Sequence, residues 1–559
     1  MYRVALIVLI FVWGSVSILC EGVLARSLSK QVTEILRNRI TIPRESQHIV
    51  CRAELLCGSD VLPRFYYRRG FQPAWITDDG RLSQAMILVN AIHEARSEGL
   101  RPADYHLGTI EALVAQIRHN KARGMPLEPN DLADLDFLLT DAFLIYGSHL
   151  LKGRVNPETI HSEWFVKNRD ADLPQVLQSA LDADQINRAL ESLRPQHTGY
   201  IRLKRALMQY RDILQKGGLA ALPRGPTLQR GDQGMRVAPL RSRLTASGDL
   251  DGILAMDDED LFNEILELAV HGFQRRHGLR VDGIVGPATL KALNVPMEQR
   301  VRQIELNLER WRWLPHDFGH RYILVNAANF KLDVVENGRI IMTMRVVVGR
   351  RFWHTPVFSG QMTYLELNPY WHVPQKIAGM DLLPKIKEDP NYLTRQNIRV
   401  FQSWDALAPE IQPESVDWTQ ITEENLFFKL RQEPGPKNAL GRVKFMFPNK
   451  FGVYIHDTPA KGLFQRLRRD FSAGCIRIEK PFELLAYLLR SDPRWTREKI
   501  IAAINNRETQ IVPLPEPIPV HLLYWTAWVD ESGKVHFRED IYGRDKPLDE
   551  ALNEPPPTR

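Results

Sequence analysis

The chain has 559 residues, of which 44% are hydrophobic and 25% charged, and its formal net charge is +6. This length and apolar content favour three or four domains with real hydrophobic cores. The positive charge fits either an anionic partner surface or the scattered basic surface of a soluble protein. Because no basic-aromatic cluster accompanies it, nucleic-acid binding is not indicated.

The N-terminus has the composition of an export signal. Arg3 precedes residues 4–20, which carry no charge. A membrane-spanning helix takes about 20 apolar residues, so this stretch is a little short for one, and Ala25 offers a small residue for cleavage. Residues 1–25 are therefore predicted to be either a cleaved signal peptide or an uncleaved N-terminal anchor.

The four cysteines differ in their expected state. Cys20 leaves with a cleaved signal, whereas Cys51 and Cys57 are close enough for a disulfide across a short loop. Two unpaired thiols are the alternative for that pair. Cys475 is left without a partner, which is conspicuous in an exported protein. No grouping of cysteine and histidine has zinc-ligand spacing, so no metal site is predicted.

The first 300 residues are predicted to be mainly helical. In residues 27–223 apolar side chains recur at three- and four-residue spacing, as in the segment 132–150. A linker rich in proline and glycine lies near residue 224. In residues 224–296, glycines at turns and helix ends alternate with leucines and Phe273, which predicts a small helical domain.

The later part of the chain has the periodicity of strands. Apolar runs on either side of Asn337 and Gly338 indicate a hairpin, and further runs of this kind predict a mostly β domain over residues 320–510. An insertion at about residues 375–438 is expected to be a functional lid or a mobile loop, since long excursions inside a domain usually are. Residues 511–559 are predicted to form a C-terminal hairpin and tail.

One segment carries the chemistry. Cys475 follows Gly474 and lies nineteen residues after His456. A cysteine attacks only as the thiolate, so a catalytic cysteine needs a nearby imidazole to take its proton. A small neighbour such as Gly474 lets backbone N–H groups turn towards a developing oxyanion. The pattern predicts a cysteine nucleophile with a histidine base.

Longer motifs resemble a known family. The sequences VYIHDTP at residues 453–459 and FSAGCIR at residues 471–477 resemble the signature of the L,D-transpeptidase catalytic domain. Residues 65–75 and 98–107 are similar to the helical scaffold of its large Gram-negative members, and residues 273–294 to a three-helix peptidoglycan-binding domain. The resemblance implies a multidomain α+β fold, in which a helical N-terminal scaffold and that small domain precede a mostly β catalytic domain with a capping insertion.

The resemblance also implies an activity, the formation of 3→3 peptidoglycan cross-links. His456 would take the Cys475 proton, and the thiolate would attack the amide after the third residue of a tetrapeptide stem, releasing D-Ala. An amine of a second stem would then attack the thioester. Stem peptides and cell-wall synthesis proteins are the implied partners, with no cofactor. The implied location is the periplasm, with inner-membrane association through an uncleaved N-terminus, and a carbapenem is expected to acylate Cys475.

Three alternatives remain open. Transfer of the thioester to water would make the protein an L,D-carboxypeptidase, and transfer to a lipoprotein lysine would make it an anchoring enzyme. The non-enzymatic alternative is a cell-wall-binding structural protein. The intact His456, Gly474, Cys475 and Arg477 argue against that last alternative.

The nucleophile loop and the cleft supply further candidate residues. The backbone N–H groups of Ala473 and Gly474 are predicted to hold the oxyanion. Ser472 is expected to shape the loop by hydrogen bonding. Tyr454 and Trp371 are candidates to line the acyl-donor cleft, with packing against the strands as the alternative.

Two charged residues lie next to Cys475 and His456 in sequence, and they are expected to have different roles. Arg477 is predicted to bind a substrate carboxylate, with pairing to an acid such as Glu479 as the alternative. Asp457 is not expected to complete a triad, because adjacent residues on a strand point to opposite faces and its carboxylate is poorly placed for His456. The resemblance implies that a backbone carbonyl orients the histidine instead.

Overall fold

The computed structural model describes residues 27–41, 49–52, 54–56, 58, 60–77, 82–165, 169–251 and 259–555. In these ranges the α-helices are α1 (Leu28–Thr41), α2 (Leu62–Arg68), α3 (Ser83–His93), α4 (Leu107–Ala122), α5 (Pro129–Lys152), α6 (Pro157–Ile160), α7 (Leu173–Asp182), α8 (Ile186–Leu193), α9 (Thr198–Gln215), α10 (Val237–Ala246), α11 (Glu264–Arg276), α12 (Pro287–Leu293), α13 (Met297–Arg312), α14 (Gln375–Ile377), α15 (Leu383–Glu388), α16 (Tyr392–Arg395), α17 (Pro481–Leu489), α18 (Arg497–Asn505) and α19 (Asp545–Asn553).

The strands are β1 (Val50–Cys51), β2 (Glu54–Leu55), β3 (Trp164–Phe165), β4 (Arg321–Asn326), β5 (Lys331–Glu336), β6 (Arg339–Gly349), β7 (Val357–Leu367), β8 (Trp371–His372), β9 (Ile398–Phe401), β10 (Glu410–Ile411), β11 (Lys429–Gln432), β12 (Val443–Met446), β13 (Ile455–His456), β14 (Asp470–Ser472), β15 (Ile476–Ile478), β16 (Gln510–Leu523), β17 (Ala527–Val529) and β18 (Val535–Phe537). The multidomain α+β fold expected from the sequence is confirmed.

The N-terminal helices pack around α5, which is buried along nearly its whole length. Its fully buried Asp136 accepts hydrogen bonds from the Tyr66 hydroxyl at 2.7 Å and from the backbone N–H groups of Ala74 and Trp75. These bonds tie the aromatic segment at residues 65–75 to the central helix, because a buried carboxylate must be hydrogen-bonded. That segment serves packing in this domain.

The small domain consists of α10, α11 and α12 around its own apolar core. The amide nitrogen of buried Gln274 donates to Asp282 Oδ1 at 2.8 Å and to the carbonyl of Ile284 at 2.9 Å, while its oxygen accepts from the N–H of Gly283 at 3.0 Å. Gly283 has φ +73°, a left-handed conformation that favours glycine. The glutamine therefore fixes the turn between α11 and α12.

The C-terminal half is built on a closed sheet. Its strand order is β12-β13-β15-β6-β5-β4-β16-β7, and β7 also pairs with β12, so the sheet closes on itself. Side chains alternate between inside and outside along each strand, which places apolar residues such as Ile455 and Ile476 in the core. The hairpin predicted at Asn337 and Gly338 is confirmed as the connection between β5 and β6.

Residues from both ends of the chain complete this core. Tyr200 and Leu203 of α9 belong to an apolar core that is continuous with that of the closed sheet, and β3 extends the sheet by pairing with β7. The strand β16 runs through residue 523 and pairs with β4 and β7. The sheet therefore continues beyond residue 510, and the domain boundary placed there stays a prediction.

The insertion at residues 375–438 forms a separate cap. The strands β8, β9, β10 and β11 make a four-stranded antiparallel sheet, which has its own apolar core with α15 and α16. Two contacts tie the cap to the loop after β6: Arg350 pairs with Asp381 at 2.9 Å, and the Lys376 ammonium lies 4.4 Å from the centre of the Trp353 ring.

Two predictions concern residues outside the described part of the chain. The apolar stretch at residues 4–20 lies there, and none of the described helices is both long enough and apolar enough to cross a membrane. Cys57 lies there as well, so its disulfide with Cys51 stays a prediction. The Cys51 thiol is buried against Asp134, and burial raises its pKa to about 12.

Candidate active site

Two neighbouring parallel strands bring the predicted nucleophile and base together. In the register of β13 and β15, Ile455 pairs with Ile476 and His456 with Arg477. Because side chains alternate along a strand, His456 and Arg477 point away from the core that holds the two isoleucines. Cys475 directly precedes β15. Because it lies two residues before Arg477, its side chain is expected on the same face of the strand as that of Arg477.

A row of polar side chains crosses four strands at this point. Lys444 of β12 lies opposite His456 on one side and opposite Glu366 of β7 on the other. With Arg477, the row runs Glu366, Lys444, His456, Arg477. The Lys444 ammonium also pairs with the Glu366 carboxylate at 3.3 Å. The histidine thus stands between two cations.

The surroundings of His456 keep its ring neutral. The side chain is 4% exposed, and burial, with Arg477 beside it, lowers its pKa to about 3. Its Nδ1 lies 2.5 Å from the carbonyl oxygen of Asp457. A carbonyl only accepts hydrogen bonds, so Nδ1 carries the proton and Nε2 is left as the basic nitrogen.

The Asp457 carboxylate is engaged elsewhere. One of its oxygens accepts from the backbone N–H of Arg442 at 2.9 Å, and the other pairs with the Lys461 ammonium. The orienting group of His456 is therefore the backbone of Asp457, which agrees with what the resemblance implies.

The Cys475 thiol is partly exposed and lies beside Tyr454. Its sulfur is 3.9 Å from the carbonyl oxygen of Gly452. Burial of the site raises the pKa of the thiol, although hydrogen bonds from Tyr454 and the charges of Lys444 and Arg477 act in the opposite direction. In the part of the chain that the structure describes, the thiol makes no hydrogen bond to His456.

Hydrogen bonds within residues 472–475 give the nucleophile loop its shape. The Ser472 hydroxyl donates to the carbonyl of Cys475 at 2.6 Å and accepts from the N–H of Gly474 at 3.2 Å. Gly474 has φ +109°, which favours glycine. Because the Gly474 N–H is engaged by Ser472, the N–H groups of Ala473 and Cys475 are the remaining donors of this loop.

Arg477 has an unusual environment. It is largely desolvated, which lowers its pKa, and among the described residues its Nε has no hydrogen-bond partner. The alternative partner Glu479 is taken, since it pairs with Arg345. A buried cation without an anion is costly, so this guanidinium is poised for an anionic ligand.

The two aromatic candidates lie in different places. The Tyr454 ring is 5.6 Å from the His456 ring, centre to centre, and 4.5 Å from the Lys444 ammonium. Trp371, in β8, packs against the core of the cap. Tyr454 thus lies beside His456, whereas Trp371 belongs to the packing of the cap.

The sequence patterns do not reveal the residues that support the nucleophile loop through hydrogen bonds. The Thr355 hydroxyl donates to the carbonyl of Gly474 at 2.9 Å and accepts from the N–H of Gly349 at 2.9 Å. The Tyr542 hydroxyl donates to the carbonyl of Gly349 at 2.7 Å. These partners lie more than 60 residues from Cys475 in sequence, and no local pattern marks them.

Three family models match the chain. The model of the L,D-transpeptidase catalytic domain matches residues 320–499, that of a scaffold domain residues 60–207, and that of a putative peptidoglycan-binding domain residues 233–293. The chain contains an L,D-transpeptidase catalytic domain. The match to this domain includes Cys475, His456 and the cap.

Two curated proteins are similar to parts of the chain. A putative L,D-transpeptidase of Haemophilus influenzae is 37% identical over 251 residues, which are 45% of this chain and 49% of that protein. The N-acetylmuramoyl-L-alanine amidase CwlM of Mycobacterium tuberculosis is 42% identical over 79 residues, 12% of this chain and 18% of that protein. The chain thus spans about half the length of the first relative and less than a fifth of the second.

Solved L,D-transpeptidase structures are more distant. One from Xylanimonas cellulosilytica is 16% identical and covers 54% of this chain and 98% of its own, with a TM-score of 0.17. One from Mycobacterium smegmatis is 12% identical and covers 36% of this chain and 58% of its own, also with a TM-score of 0.17. With TM-scores this low, these likenesses carry no weight for the site.

The described residues include no group of histidine, cysteine, aspartate and glutamate that could hold a metal ion.

Proposed function

We propose that the protein is a cysteine L,D-transpeptidase that forms 3→3 cross-links between peptidoglycan stem peptides. The observation that carries the proposal is the neutral His456, held by the Asp457 carbonyl on the same face as Cys475 and Arg477. The catalytic-domain match at residues 320–499 supports the same chemistry.

The first half-reaction forms a thioester. At neutral pH the thiol and the imidazole are both uncharged, because the pKa of Cys475 is raised and that of His456 lowered. His456 Nε2 takes the thiol proton as the sulfur attacks the carbonyl carbon of the amide between the third and fourth stem residues. The C–N bond breaks, the proton passes to the leaving nitrogen, and D-Ala departs.

The oxyanion of each tetrahedral intermediate needs donors that are not already engaged. The N–H groups of Ala473 and Cys475 meet this condition, whereas that of Gly474 donates to Ser472. We infer that Ser472 and Gly474 set the shape of the loop and that the two flanking N–H groups bind the oxyanion.

The second half-reaction forms the cross-link. An amine of a second stem attacks the thioester, His456 takes a proton from the amine, and the thiol is released. A tetrapeptide stem carries carboxylates, and Arg477, with its Nε unpaired among the described residues, is suited to bind one of them. The domains for peptidoglycan binding and cross-linking support an extracytoplasmic location.

The test is intact-mass analysis of the protein incubated with a disaccharide-tetrapeptide, followed by analysis of the products. The wild type is expected to gain the mass of an acyl group and to yield a 3→3 dimer and free D-Ala. Cys475→Ala should do neither, and Cys51→Ala, which removes the buried thiol far from the site, should behave as the wild type.

Other products would contradict the proposed reaction and indicate a different activity. Tripeptide without dimer would indicate hydrolysis, and so an L,D-carboxypeptidase. A wild type that gains no mass and forms no product with this substrate would count against an acyl-enzyme mechanism at Cys475.

A further inference from the structure

A second large groove lies on the outer face of the closed sheet. It has a volume of about 1070 Å³ and is lined by the outward side chains of β4, β5 and β6, the start of α9 and the hairpin of β17 and β18. Arg275 of the small α10–α12 domain stands at its edge, so three parts of the molecule meet there. Cys475 and His456 do not line it.

Cations outnumber carboxylates in this groove. Its lining includes seven lysine and arginine residues and four acidic residues. Two of the carboxylates are bound inside the groove by a cation, Asp333 by Lys331 and Glu479 by Arg345. Four arginines form no ion pair with any described residue: Arg202, Arg275, Arg469 and Arg538.

Two of these arginines are held in unfavourable surroundings. Burial lowers the pKa of Arg469 to about 10, and burial with the nearby charge of Arg469 lowers that of Arg538 to about 10. Their N–H groups donate only to neutral acceptors, such as the carbonyl of Phe330 and the side chain of Asn329. An anion between them would relieve both the desolvation and the repulsion.

The floor of the groove is aromatic. The rings of Trp311 and Trp525 stack with their centres 4.2 Å apart, and the partly exposed Tyr322 and Trp528 also line the groove. A ligand that fits both features has apolar C–H surface along its length and carries carboxylates at intervals. A small inorganic anion would use only the arginines.

The edges of the groove at Arg469 and Arg275 lie in different parts of the molecule. Arg469 immediately precedes β14, and its carbonyl accepts from the N–H of Val348, next to Gly349. Gly349 is linked through Thr355 to the carbonyl of Gly474. The other edge, at Arg275, belongs to the domain that matches a putative peptidoglycan-binding family. The groove thus begins at that domain, and its wall at Arg469 is linked by hydrogen bonds to the nucleophile loop.

We propose that this groove binds a peptidoglycan strand, with the stem carboxylates on the four unpaired arginines and the sugars against the aromatic floor. The choice of polymer rests on the proposed function, whereas the anionic, partly apolar character of the ligand rests on the groove itself. A strand held in this way would present its stems to Cys475 from a site outside the catalytic cleft.

The test measures binding of the full-length protein to insoluble, stem-bearing peptidoglycan by co-sedimentation. All variants carry Cys475→Ala, so that binding does not depend on turnover. Arg202→Ala with Arg275→Ala removes two cations at the edge of the groove. We expect binding to weaken about tenfold, as charged hydrogen bonds contribute about that much or more.

The matched control is Arg205→Ala with Arg280→Ala. These two exposed arginines lie close in sequence to the test positions but do not line the groove. The control should bind as the parent does. Equal binding by the test and control variants would overturn the proposal, as would a tenfold loss in both, which would indicate nonspecific charge attraction.

Soluble ligands distinguish binding of the sugars from binding of the stem carboxylates. An uncharged N-acetylglucosamine hexamer and a free stem tetrapeptide should each bind more weakly than a glycan fragment that bears stems, and only the tetrapeptide and the fragment should respond to the arginine changes. Peptidoglycan binding without any cross-linking by the wild type would count against the proposed function and leave the groove proposal standing.

Discussion

At the scale of single residues, the site depends on a histidine that is kept neutral and fixed in one tautomer. Lys444 and Arg477 flank His456 and oppose its protonation, while the carbonyl of Asp457 holds Nδ1–H. The backbone therefore does the orienting work that a carboxylate does in a serine-protease triad. The sequence neighbour Asp457 stabilises the strand connection instead.

Asp457→Asn tests this assignment. The amide can still accept from the N–H of Arg442, and the backbone carbonyl that orients His456 is unchanged. We expect the rate of Cys475 acylation to stay within about tenfold of wild type, whereas loss of a true triad carboxylate costs on the order of 10⁴-fold. The measurement is the time course of the acyl-enzyme mass. A fall of thousands-fold in a folded variant would assign the carboxylate a direct role.

At the scale of elements, the sequence predicts what is local and misses what is distant. Local sequence predicts β5 and β6, because a turn at Asn337 and Gly338 separates two runs of apolar residues. The strand β16 contains four prolines, which cannot donate to the hydrogen bonds of a sheet and therefore obscure the strand in the sequence. The structure accommodates them with a register shift between Pro513 and Ile518, after which pairing with β7 resumes.

The candidate site follows the same division. Cys475 and His456 are predictable because each lies in a short motif that is continuous in sequence. The neighbours that set their chemistry could not, since Lys444 reaches His456 only through pairing of β12 with β13. Likewise, Tyr542 contacts Gly349 across the C-terminal part of the chain. Such contacts depend on the register and closure of the sheet, which no local pattern encodes.

The cap is attached to the catalytic domain through a contact that can be removed. Asp381→Ala breaks the pair with Arg350 and leaves the core of the cap intact. The pair is partly exposed and is worth at most about 1 kcal/mol, so the melting temperature should hardly change. Hydrogen exchange at residues 378–388 should become faster, because the cap is then held to the loop after β6 chiefly by Lys376.

Asp389→Ala is the matched control for the cap. Asp389 pairs with Arg395 wholly within the cap, so this change weakens the cap without detaching it from the loop. Exchange should then rise near residues 389–395 but not in the loop at residues 350–355. If Asp381→Ala leaves hydrogen exchange unchanged at residues 378–388 and in the loop at residues 350–355, the pair with Arg350 does not restrain the cap.

At the scale of the whole molecule, the helical and β parts are not independent. The helix α13 carries the buried pair of Glu309 and Arg312, and Arg312 also donates to the carbonyl of Glu98 in the N-terminal part. Arg310 pairs with Asp545 near the C-terminus. Because a buried charge that loses its partner is costly, separation of the parts would destabilise all of them.

Buried histidines make this shared structure sensitive to acid. Burial lowers the pKa of His161 and His456 to about 3 and that of His521 to about 4. The unfolded chain takes up these protons at about pH 6.5, so it binds more protons than the native state below that pH. Stability should therefore be full above pH 6.5 and fall as the pH is lowered.

His521→Gln isolates one of these contributions. In the wild type, each of His161, His456 and His521 should cost about 2 kcal/mol of unfolding free energy between pH 7 and pH 5, since one pKa unit corresponds to about 1.4 kcal/mol. The variant should lose that much less over the same interval, whatever its stability at pH 7. Urea unfolding at both pH values gives the difference directly. An unchanged difference in His521→Gln would mean that His521 is not kept neutral by the fold.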